Sequence, residues 1–88
     1  MEDLINVAKI GDLTTLESLL KSGVDINTQG EEGQTALMGV AESGLGEVVE
    51  YLLRSGADVN QQDNDGWTAL MSASGAGHLS IVQLLVEA

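Results

Sequence analysis

Residues 66–71 read Gly-Trp-Thr-Ala-Leu-Met, and residues 33–38 read Gly-Gln-Thr-Ala-Leu-Met. The two stretches lie 33 positions apart, and the same shift lays residues 22–27 (SGVDIN) over residues 55–60 (SGADVN). It also aligns three glycines: Gly11, Gly44 and Gly77. Self-similarity at a constant period of this size is typical of proteins that stack copies of one small structural unit. The chain is therefore interpreted as repetitive.

Each unit carries signals for two short helices. Thr35 is a plausible N-cap for a first helix over residues 36–41, and Gly44 is placed to end it as a C′ glycine. A second helix is predicted over residues 47–54, where one stripe is apolar: Val48, Val49, Leu52 and Leu53. Helices this short are not stable alone, so each unit must bury its stripe against the next one. We therefore expect a shared apolar seam through Leu16, Val49 and Val82.

The stretch Asp63-Asn64-Asp65-Gly66 has the composition of a calcium loop, a phosphate loop or a turn. If Gly66 took the sixth position of a calcium loop, Gln61 and Ser72 would fall at the first and twelfth positions, where the ligands would be wrong. A phosphate loop needs a lysine after its glycines, and none follows here. Asn and Asp tolerate turn geometry, and glycine supplies a positive φ. The stretch is therefore interpreted as a turn.

These features together resemble ankyrin repeats. The family pattern reads roughly D-x-x-G-x-T-P-L-H-x-A-A, then G-H-x-x-I-V-x-L-L-L, then G-A-D-V-N, and it is closely matched by residues 63–86 (DNDGWTALMSASGAGHLSIVQLLV) and 48–60 (VVEYLLRSGADVN). The resemblance implies an all-α solenoid of helix-turn-helix units joined by β-hairpin-like loops. It implies one domain over residues 1–88, with repeats at 1–29, 30–62 and 63–88, the last one truncated.

The sequence stops inside the second helix of the third repeat. We expect either that it is a piece of a longer solenoid, which we favour, or that something else covers the last apolar face. A terminal repeat without a polar outer face exposes apolar surface. Self-association through the uncapped third repeat is therefore a further expectation.

The net charge is −11, with only Lys9, Lys21 and Arg54 on the positive side. Nucleic acids and anionic membranes bind basic surfaces, so neither is expected as a partner. The absence of cysteine fits a reducing compartment. Residues 1–3 (MED) are acidic where a signal peptide is basic, and no apolar run is long enough to span a bilayer. We expect a cytoplasmic protein, with the nucleus as an alternative.

No arrangement of residues predicts an enzyme. His78 is the only histidine and has no cysteine or second histidine with which to bind zinc. By resemblance to the family, it holds the turn between two helices. Asp25 and Asp58 recur before Asn27 and Asn60, which favours a role in shaping the loops over acid–base chemistry. We expect no catalytic, cofactor-binding or metal-binding residues.

In ankyrin proteins, the hairpin tips and the inner faces of the first helices form a concave surface that holds a partner protein. The resemblance therefore implies a protein–protein interaction module. By register, the candidate protein-binding residues are Glu31, Glu32, Gln34, Glu42, Ser43, Asn64, Asp65, Trp67, Gly75 and Ala76. The corresponding positions of the shortened first repeat are Lys9 and Ile10.

Trp67 is the first candidate for a binding hot spot, because tryptophan buries a large area and carries a polar group. The other interpretation is that its ring lies along the hairpin and shields the backbone. Three acidic residues, Glu31, Glu32 and Glu42, would attract a basic segment of the partner.

Two other functions stay open. The domain is interpreted alternatively as a structural spacer or as an intramolecular lid within a larger protein. As a third hypothesis, the chain is a substrate of asparaginyl hydroxylases. The residues around Asn27 and Asn60 resemble, in their spacing, those at which these enzymes modify ankyrin proteins.

Overall fold

Six α-helices follow one another as three pairs in the computed structural model, which describes residues 3–88. The helices are α1 (Leu4–Ile10), α2 (Leu13–Lys21), α3 (Ala36–Ser43), α4 (Gly46–Arg54), α5 (Ala69–Ala76) and α6 (Leu79–Glu87), with a 3-10 turn at Glu31–Gly33. Within residues 3–88 there is no strand, and no helix has the length and apolar character needed to cross a membrane. The predicted all-α architecture is confirmed. Met1 and Glu2, part of the predicted first repeat and of the acidic N-terminus, lie outside the described residues.

Local signals set the ends of the first helix of each later pair. Thr35 and Thr68 precede α3 and α5, and each side chain accepts a hydrogen bond at 3.3 Å from the amide three residues ahead. The helices end at left-handed glycines, with φ of +80° at Gly44 and +79° at Gly77. Helix α3 continues to Ser43 instead of ending at residue 41 as predicted, because the left-handed turn comes only at Gly44.

The core is an apolar seam shared by the three pairs, with α3 packed between α1 and α5. Leu16 and Val49 are fully buried, and Val82 is half-buried against the same core, so the predicted seam is confirmed. Burial decreases at the third pair: Met38 is 1% exposed, whereas Met71, one period later, is 45% exposed. The reason is that α5 covers Met38, while no helix pair follows α6 in the described chain.

The loop aspartates shape their own loops. The carboxylate of Asp25 accepts a hydrogen bond from the Asn27 amide at 2.9 Å, and Asp58 accepts one from the Asn60 amide at the same distance. Because each bond joins a side chain to the backbone amide two residues later, it holds the loop in a turn at that point. The predicted loop-shaping role of these two residues is confirmed.

Polar contacts tie the loops of neighbouring units to one another. The Asn27 side-chain oxygen accepts a hydrogen bond from the Asp58 amide at 2.8 Å. The Gln29 side-chain nitrogen donates to the Gln62 carbonyl at 2.8 Å. These contacts hold the two loops against each other, and the hairpins at residues 30–34 and 63–67 lie side by side.

Candidate functional site

Two clefts open where the hairpin tips meet the first helices of neighbouring units. The larger has a volume of about 470 Å³, and we call it the Trp67 cleft. Its lining residues are Gln34, Glu42, Asp63, Asp65, Trp67, Ser72, Gly75 and Ala76. The smaller, of about 240 Å³, we call the Lys9 cleft. Its lining residues are Asp3, Ile5, Asn6, Lys9, Gly30, Glu31 and Gln34. Gln34 lines both, so the two clefts are neighbours on one surface.

The hairpin that carries Trp67 is held by the carboxylate of Asp63. One oxygen of Asp63 accepts hydrogen bonds from the amides of Asp65 and Trp67, each at 2.9 Å. The Asp63 amide in turn donates to the Trp67 carbonyl at 2.9 Å, and Gly66 has a φ of +82°. The interpretation of this stretch as a turn is confirmed. This aspartate oxygen is occupied by its own loop, and the bonds fix the backbone of Trp67 in the turn.

The indole of Trp67 is half covered and half open. It lies beside α5, where a Cβ at Gly75 would be 3.5 Å from a ring carbon. The side chain nevertheless stays 46% exposed. Because the helix supports the ring, a ligand in the cleft meets a positioned aromatic surface.

The structure brings six of the ten candidate protein-binding residues together in the Trp67 cleft: Gln34, Glu42, Asp65, Trp67, Gly75 and Ala76. Glu31 lines the Lys9 cleft instead. The other three, Glu32, Ser43 and Asn64, lie outside the clefts described for residues 3–88. The role of these ten residues in binding stays a prediction.

The three candidates outside the clefts have other surroundings. The backbone N–H of Asn64 donates to the Glu32 carbonyl at 2.8 Å and thereby joins the hairpins of the second and third repeats. Glu32 adopts a left-handed conformation with φ of +60°. Ser43 is the exposed last residue of α3. Their positions follow the register, but their environments depend on how the hairpins stack.

Residues of the first repeat border the Lys9 cleft. The aliphatic chain of Lys9 lies so close to α3 that a Cβ at Gly39 would be 2.9 Å from its Cε. Ile10, the second candidate of this repeat, is strongly exposed at the end of α1. Lys9 is thus the basic residue among those that line the smaller cleft.

Sequence reasoning missed several lining residues, of which Asp63 and Ser72 matter most because they border the Trp67 cleft. Asp63 could have been predicted from the sequence, since an aspartate in a turn often accepts a hydrogen bond from the backbone amide of the residue two positions later. No sequence pattern predicts Ser72 at the cleft, because its place depends on how α5 lies against α3.

His78 connects two units. Its Nε2 lies 3.0 Å from the Glu42 carbonyl, which can only accept, so Nε2 carries the hydrogen. The ring also lies over Gly44, where a Cβ would be 2.7 Å from Cε1. The predicted structural role is confirmed, and the contact anchors the end of α3 to the next helix pair.

Among residues 3–88, no carboxylate that lines either cleft forms an ion pair. Over residues 3–88 one ion pair forms, between Lys21 and Glu17 at 3.0 Å on the exposed side of α2. In the same range no three His, Cys, Asp or Glu side chains are arranged to hold a metal ion. The Trp67 cleft is therefore an open, negatively charged surface with one aromatic wall.

The two asparagines of the hydroxylation hypothesis have different surroundings. Asn27 is half-buried and its side-chain oxygen is bound to the Asp58 amide, whereas Asn60 is exposed. Whether either is modified stays a prediction.

Comparison with known proteins identifies the family. A family model described as ankyrin repeats matches residues 4–88 in three copies. The chain belongs to the ankyrin-repeat family. No curated protein matches it. Ankyrin repeats are generally protein–protein interaction modules and are typically not enzymes. In this ankyrin-repeat chain, the two clefts lie on the surface made by the hairpin tips and the first helices.

Proposed function

We propose that this ankyrin-repeat chain binds a partner protein through the surface that contains the two clefts, and that the partner presents a basic segment. The main support is Trp67, which is half exposed in a cleft with carboxylates that lack ionic partners among the described residues. Aromatic residues that fill such clefts often dominate the binding energy of an interface.

The charge of the chain supports a basic partner. With a net charge of −11, the protein attracts cations at long range, and Glu31 and Glu42 place part of that charge at the clefts. Complementary charge mainly accelerates association, and the effect weakens as salt screens it.

Affinity capture tests the binding itself. The immobilised chain should retain a partner that Trp67→Ala loses, while Leu79→Ala, which truncates another exposed apolar residue outside both clefts, should retain it. Cross-linking from position 34 should then reach the captured protein, and cross-linking from Glu50 on the exposed side of α4 should not. Capture that is insensitive to Trp67→Ala would favour the spacer or lid instead.

Association kinetics test the electrostatic part of the proposal. Changing both Glu31 and Glu32 to Gln should slow partner binding at low salt and have less effect at high salt. An unchanged association rate at low salt would remove charge steering from the proposal.

We also propose that the outer face of the third repeat allows self-association. Leu70 and Met71 are partly exposed there, whereas Leu37 and Met38 one period earlier are buried. Analytical ultracentrifugation should show association that strengthens with salt, because salt screens the repulsion between acidic copies. Met71→Gln should weaken it more than Val24→Gln, which changes an exposed apolar residue of the first repeat.

A cytoplasmic location, which the composition favours, stays a prediction that microscopy of the tagged protein in cells can check.

A further inference from the structure

The two clefts differ in the charges that line them. The Lys9 cleft is lined by one basic residue, Lys9, and by two acidic ones, Asp3 and Glu31. The Trp67 cleft has three carboxylates, Glu42, Asp63 and Asp65, and no basic residue among those that line it. One of the three, Asp63, accepts two backbone hydrogen bonds from its own turn. Both bonds use the same Asp63 oxygen, so Glu42 and Asp65 are the two carboxylates with both oxygens available to a ligand.

We propose that the Trp67 cleft binds one arginine side chain of the partner. The guanidinium stacks on the exposed indole face and donates hydrogen bonds to Asp65 and Glu42. This inference rests on the proposed function and names the partner group that the cleft recognises.

Three properties of the cleft favour arginine over lysine. A planar guanidinium stacks on an aromatic ring and loses less hydration than an ammonium group does. Its five donors fan out in one plane, so it can donate to more than one of the carboxylate and amide oxygens that line the cleft, whereas an ammonium group is a point charge. The indole is held beside α5 at Gly75, so the stacking surface is formed before the ligand arrives.

The partner must also present this arginine at a defined place. The lining of the Lys9 cleft has one basic residue against two carboxylates, whereas that of the Trp67 cleft has three carboxylates and no basic residue. The arginine is therefore directed to the Trp67 cleft, at the junction of the second and third repeats. The proposal therefore predicts a single arginine that dominates recognition within the basic segment.

Fluorescence titration of the intact chain tests the proposal, because Trp67 is the only tryptophan and reports directly on the cleft. The probes are three blocked tripeptides, Gly-X-Gly, in which X is arginine, lysine or citrulline, the uncharged analogue of arginine. The arginine peptide should bind about tenfold more tightly than the citrulline peptide, with lysine between them. Equal binding of arginine and citrulline, or tighter binding of lysine than of arginine, would overturn the proposal.

Charge-neutral variants locate the site. Asp65→Asn and Glu42→Gln should each reduce the preference for arginine over citrulline, whereas Glu50→Gln removes the same charge from the exposed face of α4 and should leave the preference unchanged. Circular dichroism confirms that each variant is folded. If Glu50→Gln reduced the preference for arginine equally, the peptide would be attracted non-specifically to an acidic protein. That result would contradict binding of arginine in the Trp67 cleft.

The outcomes separate this inference from the proposed function. If the chain captures a partner through Trp67 but does not prefer the arginine peptide, only the arginine site is wrong. If the arginine peptide binds but no captured partner depends on Trp67, the cleft is confirmed and the proposed interaction is wrong.

Discussion

Replacing Gly33 with alanine should destabilise the fold much more than the same replacement at Gly66. The two glycines occupy the same position in successive hairpins, and both adopt left-handed backbone conformations, with φ of +78° and +82°. An alanine at either site therefore carries a similar backbone cost of about 1–2 kcal/mol. Any larger loss at Gly33 must come from its surroundings.

The surroundings differ because the hairpin of Gly33 packs against a neighbouring hairpin, whereas the described residues leave the space around Gly66 open. A Cβ at Gly33 would lie 2.6 Å from the Asn64 side-chain oxygen and 2.9 Å from the Asn64 amide nitrogen. That amide donates to the Glu32 carbonyl at 2.8 Å, so moving it away breaks a bond between the repeats. A Cβ at Gly66 has nothing within 4 Å.

The expected difference follows from these contacts. Forcing an extra carbon into a packed site typically costs about 1–3 kcal/mol, and the lost hydrogen bond adds roughly 1 kcal/mol. Gly33→Ala should therefore be about 2–4 kcal/mol less stable than Gly66→Ala, which for a domain of this size means a melting temperature lower by at least about 8 °C.

Urea unfolding followed by circular dichroism measures the free energy of unfolding of both variants. Adding Asn64→Ala to Gly33→Ala should recover only part of the loss, since it removes the side-chain clash and leaves the amide nitrogen in place. Equal stabilities of Gly33→Ala and Gly66→Ala would refute the close stacking of the hairpins of the second and third repeats.

Three further predictions concern stability. Leu52→Ala should cost about 2–5 kcal/mol because Leu52 is fully buried, and a thermal melt close to that of the unmodified chain would contradict its place in the core. Glu32→Asn should stabilise the chain by up to about 1 kcal/mol, since asparagine tolerates the left-handed conformation. Glu32→Gln removes the same charge without that benefit, and an equal gain there would point to charge instead. Hydrogen bonds from the side chain and amide of Thr15 lower the pKa of Asp12. The ionised carboxylate therefore stabilises the fold above the ordinary pKa, and this contribution is lost as pH falls through the lowered value. Urea unfolding should show Asp12→Asn less stable than the unmodified chain at neutral pH, with the gap closing in acid, and a gap independent of pH would contradict this.

Much of the fold could be predicted from the sequence because its signals are local. Thr35 caps a helix through an amide three residues away, and Asp58 shapes a loop through an amide two residues away. Bonds of this kind depend on adjacent residues, so they recur wherever the sequence recurs. The repeat also identified the buried stripe, since an apolar position that returns with every unit is one that stacking can hide.

The candidate site was predicted less completely. Register placed Trp67, Asp65 and Glu42 on one surface, but it also selected Asn64, which joins two hairpins instead of lining a cleft. It missed Ser72, whose position depends on the packing of α5 on α3. The alignment of the repeats shows which residues are equivalent in different units. It does not show which atoms of neighbouring units are in contact.

The sequence by itself determined the unit, its helix caps, its left-handed glycines and the seam along which the units stack. The tertiary structure decided which equivalent positions become different: Gly33 is crowded and Gly66 is open, Met38 is buried and Met71 is exposed. It also decided that Lys9 lines one cleft while no basic residue lines the other. The physical reason is that caps and turns depend on residues a few positions apart, whereas crowding, burial and cleft charge depend on which neighbour each unit packs against.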